Sequence, residues 1–150
     1  MSLQLWRSLA VIATLGQHAA AYPLIDWNSH GNATMSPQDV YYDCQGGSPC
    51  AIAPVKYCDL AVNNMERGSH IYIANEAVRD GHCWGNGMGN GCNVNVRGTD
   101  QDGNNCQITG DDMWWSYQDI RAHCPVCGTK HFGNGCMVSV NYHTGCPNRE

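Results

Sequence analysis

Apolar residues recur at helical spacing between Ala51 and Arg67, where Ile52, Val55, Leu60, Ala61, Val62 and Met65 fall three to five positions apart. That spacing predicts a helix with one buried face. Pro54 suits its first turn and Gly68 its end. From Ser69 to Ala74 the pattern alternates, with Ile71 and Ile73 on one side and His70 and Tyr72 on the other. This predicts a half-buried strand. Asp80-Gly81 reads as a turn into a second strand through Cys83-Trp84, and Asn93 to Arg97 alternates again through Val94 and Val96. Asp102-Gly103-Asn104-Asn105 is a polar turn.

The clearest element follows. Thr109 and Asp112 form a capping-box-like pair, and Asp111 and Asp112 place negative charge at a positive helix end. Met113, Tyr117, Ile120 and Cys124 then draw one apolar stripe at helical spacing, and Pro125 stops it. Met137 to Tyr142 alternates through Val138, Val140 and Tyr142 into a last strand. Helix, strands, helix, strand predicts an α+β fold: a small disulfide-rich α/β sandwich with two helices on one face of a sheet. Several connections are too short for crossovers, so the sheet should be dominated by antiparallel pairs.

The first residues have a different character. Residues 1–21 hold one charge, Arg7, then the apolar run from Leu9 to Leu15, then Ala19-Ala20-Ala21. These are the parts of a secretory signal peptide, and the run is far shorter than a bilayer span. Residues 22–43 contain no cysteine and read as a flexible leader, with Asn32-Ala33-Thr34 as an N-glycosylation sequon. The domain itself is expected over residues 44–146, with a short tail at 147–150.

All ten cysteines fall inside that domain: Cys44, Cys50, Cys58, Cys83, Cys92, Cys106, Cys124, Cys127, Cys136 and Cys146. Behind an export signal, an even set of this size predicts a disulfide framework and an extracellular location. Without the signal, which holds Arg7 and no acid, seven basic side chains face thirteen acidic ones, a formal charge of −6. Acidic charge argues against nucleic acid or an anionic membrane as partner. The expected partner is a membrane protein or cell-wall component of a target cell, met by a monomer.

Few motifs carry chemistry. Cys124-Pro125-Val126-Cys127 has CxxC spacing, but a zinc site needs four ligands and only one such pair is present, and a redox site wants its thiol at a helix N-terminus. Both cysteines are expected to bridge elsewhere, and no metal or cofactor is expected. The acids between Asp100 and Asp112 lack the calcium-loop spacing, and a turn explains their setting. His70, Glu76, Arg97 and His143 supply the residue types of a small secreted hydrolase such as a ribonuclease, although ordinary polar positions alternating with buried ones along strands account for them better. Of the adjacent Trp114 and Trp115, one is expected to flank the core while the other leans outward. For a protein that binds, the candidate contact residues are Trp84, Arg97, Trp115, Lys130 and His131.

The cysteine neighbourhoods resemble the secreted fungal killer toxins typified by the virus-encoded killer toxin four of corn smut. Asp43-Cys44-Gln45-Gly46-Gly47-Ser48-Pro49-Cys50 is similar to that family's opening, in which two cysteines flank glycine and serine. His123-Cys124-Pro125-Val126-Cys127-Gly128-Thr129 resembles its CxxC segment after a helix. Val138-Ser139-Val140-Asn141-Tyr142-His143-Thr144-Gly145-Cys146 resembles its closing strand. The resemblance implies an α/β sandwich, and bridges from Cys44 and Cys50 to Cys124 and Cys127. It also implies a secreted toxin or effector that inhibits competing fungi or host cells through calcium channels. A non-toxic surface protein is the remaining alternative.

Overall fold

The computed structural model describes residues 40–46, 50 and 55–147. Seven strands and two helices follow in chain order: β1 (Tyr41–Asp43), α1 (Val55–Asn63), β2 (Ile71–Ala74), β3 (Asp80–Gly85), β4 (Gly91–Arg97), β5 (Cys106–Thr109), α2 (Gly110–His123), β6 (Gly128–His131) and β7 (Met137–Tyr142). Five of the strands form one sheet in the order β1-β6-β7-β4-β3, and β2 pairs with β5 in a separate ribbon. Every strand pairing is antiparallel. The expected fold class is therefore what the chain adopts.

Both helices cover the same sheet face. In β4 and β7, Val94 stands opposite Val140 and Val96 opposite Val138, and all four are buried. Cys58 of α1 is bonded to Cys92 on that side of β4, and Asp119 of α2 reaches Lys130, which stands beside Val138. Helix α1 contributes Tyr57, Cys58, Ala61 and Val62, while α2 contributes Met113, Tyr117 and Ile120. The Tyr117 hydroxyl donates to Asp59 Oδ1 at 2.5 Å and joins the two helices.

The elements form where local chemistry asks for them, with three shifts. Thr109 caps α2 as expected, its hydroxyl oxygen accepting from Asp112 N at 3.1 Å. Helix α1 ends at Asn63, five residues before Gly68, because the Asn64 side chain and backbone both turn back to the Leu60 carbonyl. Asp80-Gly81 lies inside β3; the turn precedes it, where Asn75 Oδ1 accepts from the backbone of Ala77 and Val78. Glycine is required at 81 because a Cβ there would sit 2.1 Å from the Val94 carbonyl oxygen.

Strand β2 faces the opposite way from its simplest reading. Tyr72 and Ala74 are buried and Ile71 and Ile73 exposed. Tyr72 stands beside Ile108 and Ala74 beside Cys106, and the Cys106–Cys136 bridge holds that side against the core. Strand β1 occupies the last residues of the expected leader, so the sheet begins at Tyr41, before Cys44. Residues 1–39, with the expected signal segment and Asn32, lie outside the described residues.

All ten cysteines are paired: Cys44–Cys124, Cys50–Cys127, Cys58–Cys92, Cys83–Cys146 and Cys106–Cys136. The CxxC thus receives two bridges from the N-terminal segment. Among the described residues, no helix is long and apolar enough to cross a membrane.

Candidate functional site

Strand alternation sends every second side chain of the large sheet away from the helices. No helix covers that second face among the described residues. The registers assemble it in rows. One row runs Arg97, Met137, His131, Tyr41, and the next runs Gly81, Asn95, Ser139, Thr129, Asp43. A third begins at Cys83 and continues through Asn93 and Asn141. The Cys83–Cys146 bridge closes this end, where Cys146 packs on the facing pair Gly85 and Gly91. The face is polar throughout its centre.

Its electrostatics centre on Arg97 and His131. Burial pushes the Arg97 guanidinium below its usual range, the charge of Arg79 adds to this, and Asp43 opposes it. Burial likewise lowers the pKa of His131; Asp43 pulls it up and Arg97 pushes it down. Arg97 and His131 thus both feel the charge of Asp43, and His131 feels that of Arg97. The Tyr41 ring stacks on His131 with centroids 4.2 Å apart and planes 5° from parallel, and Tyr41 remains 57% exposed. Thr129 and Ser139 share a buried hydrogen bond of 2.9 Å across the floor. Asn93 Oδ1, Asn95 Oδ1 and Arg97 Nε are buried without a hydrogen-bond partner.

Of the five sequence candidates, this face brings together two, Arg97 and His131. The other three lie elsewhere. Trp84 stands opposite Cys92 on the helix-covered side, is 8% exposed and belongs to the core, which corrects its expected surface position. Lys130 is corrected in the same way: it is 7% exposed and pairs with Asp119 at 2.5 Å, its ammonium 5.4 Å from the Phe132 ring. Trp115 is 45% exposed on α2, in the other layer. Its neighbour Trp114 packs against the core, edge to face with Trp115, under the Arg67 guanidinium at 4.6 Å.

The hydrolase quartet does not converge. Arg97 stands beside Met137 at one end of β7, and His143 follows Tyr142 at the other, about 20 Å away at ~3.4 Å per residue. His70 precedes the β2 ribbon and pairs with Glu66 at 2.7 Å, and Glu76 sits in the turn after β2. His143 instead lies within 3.8 Å of both sulfurs of Cys83–Cys146. Those three residues have metal-ligand types, but the sulfurs are bonded to each other and leave one nitrogen donor. The acidic loop is self-satisfied: Asp100 accepts from the backbone of Asp102 and Asn104 and from the Asn104 side chain.

Arg79, Tyr41, Asp43, Asn93 and Asn95 escaped the sequence reading. The signal was present in two strands: Asn93-Val94-Asn95-Val96-Arg97 and Val138-Ser139-Val140-Asn141 each interleave a polar side with the valines. What the sequence withheld was the register that sets those sides next to each other.

Fold and face together define a disulfide-stapled α+β protein with one helix-covered and one polar sheet surface. The chain belongs to the meiotically up-regulated gene family MU117, whose family model matches residues 42–146. That span begins in β1 and ends at the last cysteine, so it coincides with the described domain. The family's description speaks of gene expression and of no reaction or ligand. No curated protein and no solved structure matches the chain.

Proposed function

We propose that the protein is secreted and acts by binding a target on competing fungal or host cells, through the polar face of its large sheet. The observation that carries this reading is the row in which Arg97, Met137, His131 and Tyr41, distant in sequence, line up across four strands. Five disulfides support it in two ways. They suit an oxidising compartment outside the cell. They also hold the face rigid before any ligand arrives, which reduces the entropy lost on binding. Catalysis by the quartet His70, Glu76, Arg97 and His143 is less well supported, because no hydrogen bond or ion pair joins any two of them.

The resemblance to fungal killer toxins favours the same kind of action. The pairings Cys44–Cys124 and Cys50–Cys127 match the bridges that resemblance implies. Growth inhibition through calcium channels is its specific form. A channel plug built on positive charge fits this chain poorly, since the chain is acidic. Recognition of a membrane protein or wall component by a monomer's polar face fits better.

The test applies purified, oxidised protein to fungal and plant cells, with a reduced sample and added calcium as parallel arms. Saturable binding with inhibition that reduction abolishes supports the proposal, and calcium relief supports its channel-directed form. Absence of saturable binding to every cell type contradicts it and favours a surface-coat protein without a receptor.

A further inference from the structure

The five bridges differ in access to solvent and in what lies beside their sulfurs. Cys58–Cys92, Cys106–Cys136 and Cys50–Cys127 have both partners buried and are shielded from a thiol in solution. Two bridges keep one partner outside the core: Cys44 is exposed and Cys83 half-buried, while their partners Cys124 and Cys146 are each 2% exposed. In both, the reachable sulfur is the one a thiolate attacks, and the buried sulfur departs. Exchange is faster where the departing thiolate is better stabilised.

The two departing sulfurs sit in opposite settings. Cys124 caps the C-terminus of α2, where the helix dipole disfavours a thiolate. Cys44 Sγ faces the His123 carbonyl oxygen at 3.6 Å, which has no proton to give, and the His123 ring is held on the Asp119 carbonyl through Nδ1 at 2.8 Å. Around Cys146 the arrangement is reversed. His143 is exposed, and its Nδ1 lies 3.7 Å from Cys146 Sγ and 3.8 Å from Cys83 Sγ. The His143 backbone N donates to the Gly91 carbonyl at 3.0 Å and anchors the residue beside the bridge. Cys146 is seated against Gly85 and Gly91, where an added Cβ would come within 2.9 and 2.8 Å of the Cys146 Cβ. The Cys92 carbonyl oxygen, 3.7 Å from Cys146 Sγ, is placed to accept from the thiol once it forms.

We propose that Cys83–Cys146 is a thiol-exchange site, with Cys83 Sγ attacked by an external dithiol and His143 acting as the acid for the departing Cys146. One thiolate of the dithiol attacks Cys83 Sγ and forms a mixed disulfide. The Cys83–Cys146 bond breaks, and its electron pair leaves on Cys146 Sγ, which takes a proton from His143 Nδ1. The second thiolate then attacks the dithiol's sulfur in the mixed disulfide. That closes the oxidised dithiol and releases Cys83 as a thiolate, which takes a proton from solvent. Two electrons pass from dithiol to bridge, and His143 recovers its proton from water. Opening detaches the chain beyond β7 from the edge strand β3, so the state of this bridge sets whether the end of the domain is covalently held.

The test exposes the oxidised protein to dithiothreitol for increasing times, followed by acid quench, alkylation and mass mapping of each bridge. Cys83–Cys146 should open first, about tenfold faster than Cys44–Cys124. His143→Ala should slow its opening by about tenfold, less than the ~100-fold of a shielded general acid because His143 is exposed, and leave Cys44–Cys124 unchanged. Added imidazole should restore the rate at Cys83–Cys146 in His143→Ala, a recovery that a merely structural histidine would not give. His143→Gln keeps a polar side chain without an acidic proton and should be slowed alike. Cys44–Cys124 opening first, His143 variants that exchange at the native rate, or imidazole that leaves the slowed rate unchanged overturns the inference.

Discussion

Lys130 Nζ lies 2.5 Å from Asp119 Oδ2, and the two are exposed unequally: the lysine side chain 9%, the aspartate 46%. The pair ties β6 to α2 with the cation on the inner side. Removing either partner therefore has a different cost. Lys130→Met keeps the apolar stem and leaves an aspartate that water can reach, so about 1 kcal/mol is expected. Asp119→Asn leaves an inner ammonium without its counter-ion and should cost about 2–3 kcal/mol. Urea unfolding of the oxidised variants measures both. Equal losses would contradict the inward placement of Lys130.

The bridges differ in access. Cys58 and Cys92 are each fully buried between α1 and β4, whereas Cys44 is exposed at the start of the domain. Stepwise reduction with alkylation and mass mapping should open Cys58–Cys92 last. Replacing that pair by alanines should cost about 3 kcal/mol, through lost constraint on the unfolded chain.

His131 supplies a pH dependence with a defined sign. Burial lowers its pKa below the ordinary 6.5, so the folded state resists the proton that the unfolded chain accepts. Its contribution is present above the unfolded value and is lost as pH falls from there through the folded value. Asp43 and Arg97 act on it in opposite directions. In a proton-titration NMR experiment His131 should titrate below 6.5, Arg97→Gln should raise its midpoint and Asp43→Asn should lower it. A midpoint that neither variant moves would separate these residues.

What the sequence made legible depended on how local each determinant was. The α2 cap and stripe are written within fifteen residues, and Thr109, Met113, Tyr117 and Ile120 behave as their spacing predicts. The valine alternation of β4 and β7 is equally local. Strand β6 was invisible because its inward position is Lys130, whose stem does the work of an apolar side chain. Strand β1 has three residues and no pattern to read. Ile71 and Ile73 misled because the choice of buried side for β2 is made by Ile108 and Cys106 across the ribbon.

The candidate site was legible only in fragments. Arg97 and His131 were singled out separately, but their place in one row, on either side of Met137, depends on two strand registers, Arg97 with Met137 and Met137 with His131. Trp84 and Lys130 were attractive by residue type, and side-chain direction removed both from the surface. Chemistry was visible in the chain; neighbourhood was not.

The most direct measurement of the account is the binding isotherm of labelled, oxidised protein on fungal and plant cells, compared for the native chain, Arg79→Gln, Arg97→Gln and Trp115→Ala. Binding should saturate on at least one cell type, weaken about tenfold with either arginine variant, and persist in Trp115→Ala, whose side chain lies in the other layer. Unsaturable binding everywhere, or arginine variants that bind as well as the native chain, would contradict a function carried by the polar sheet face.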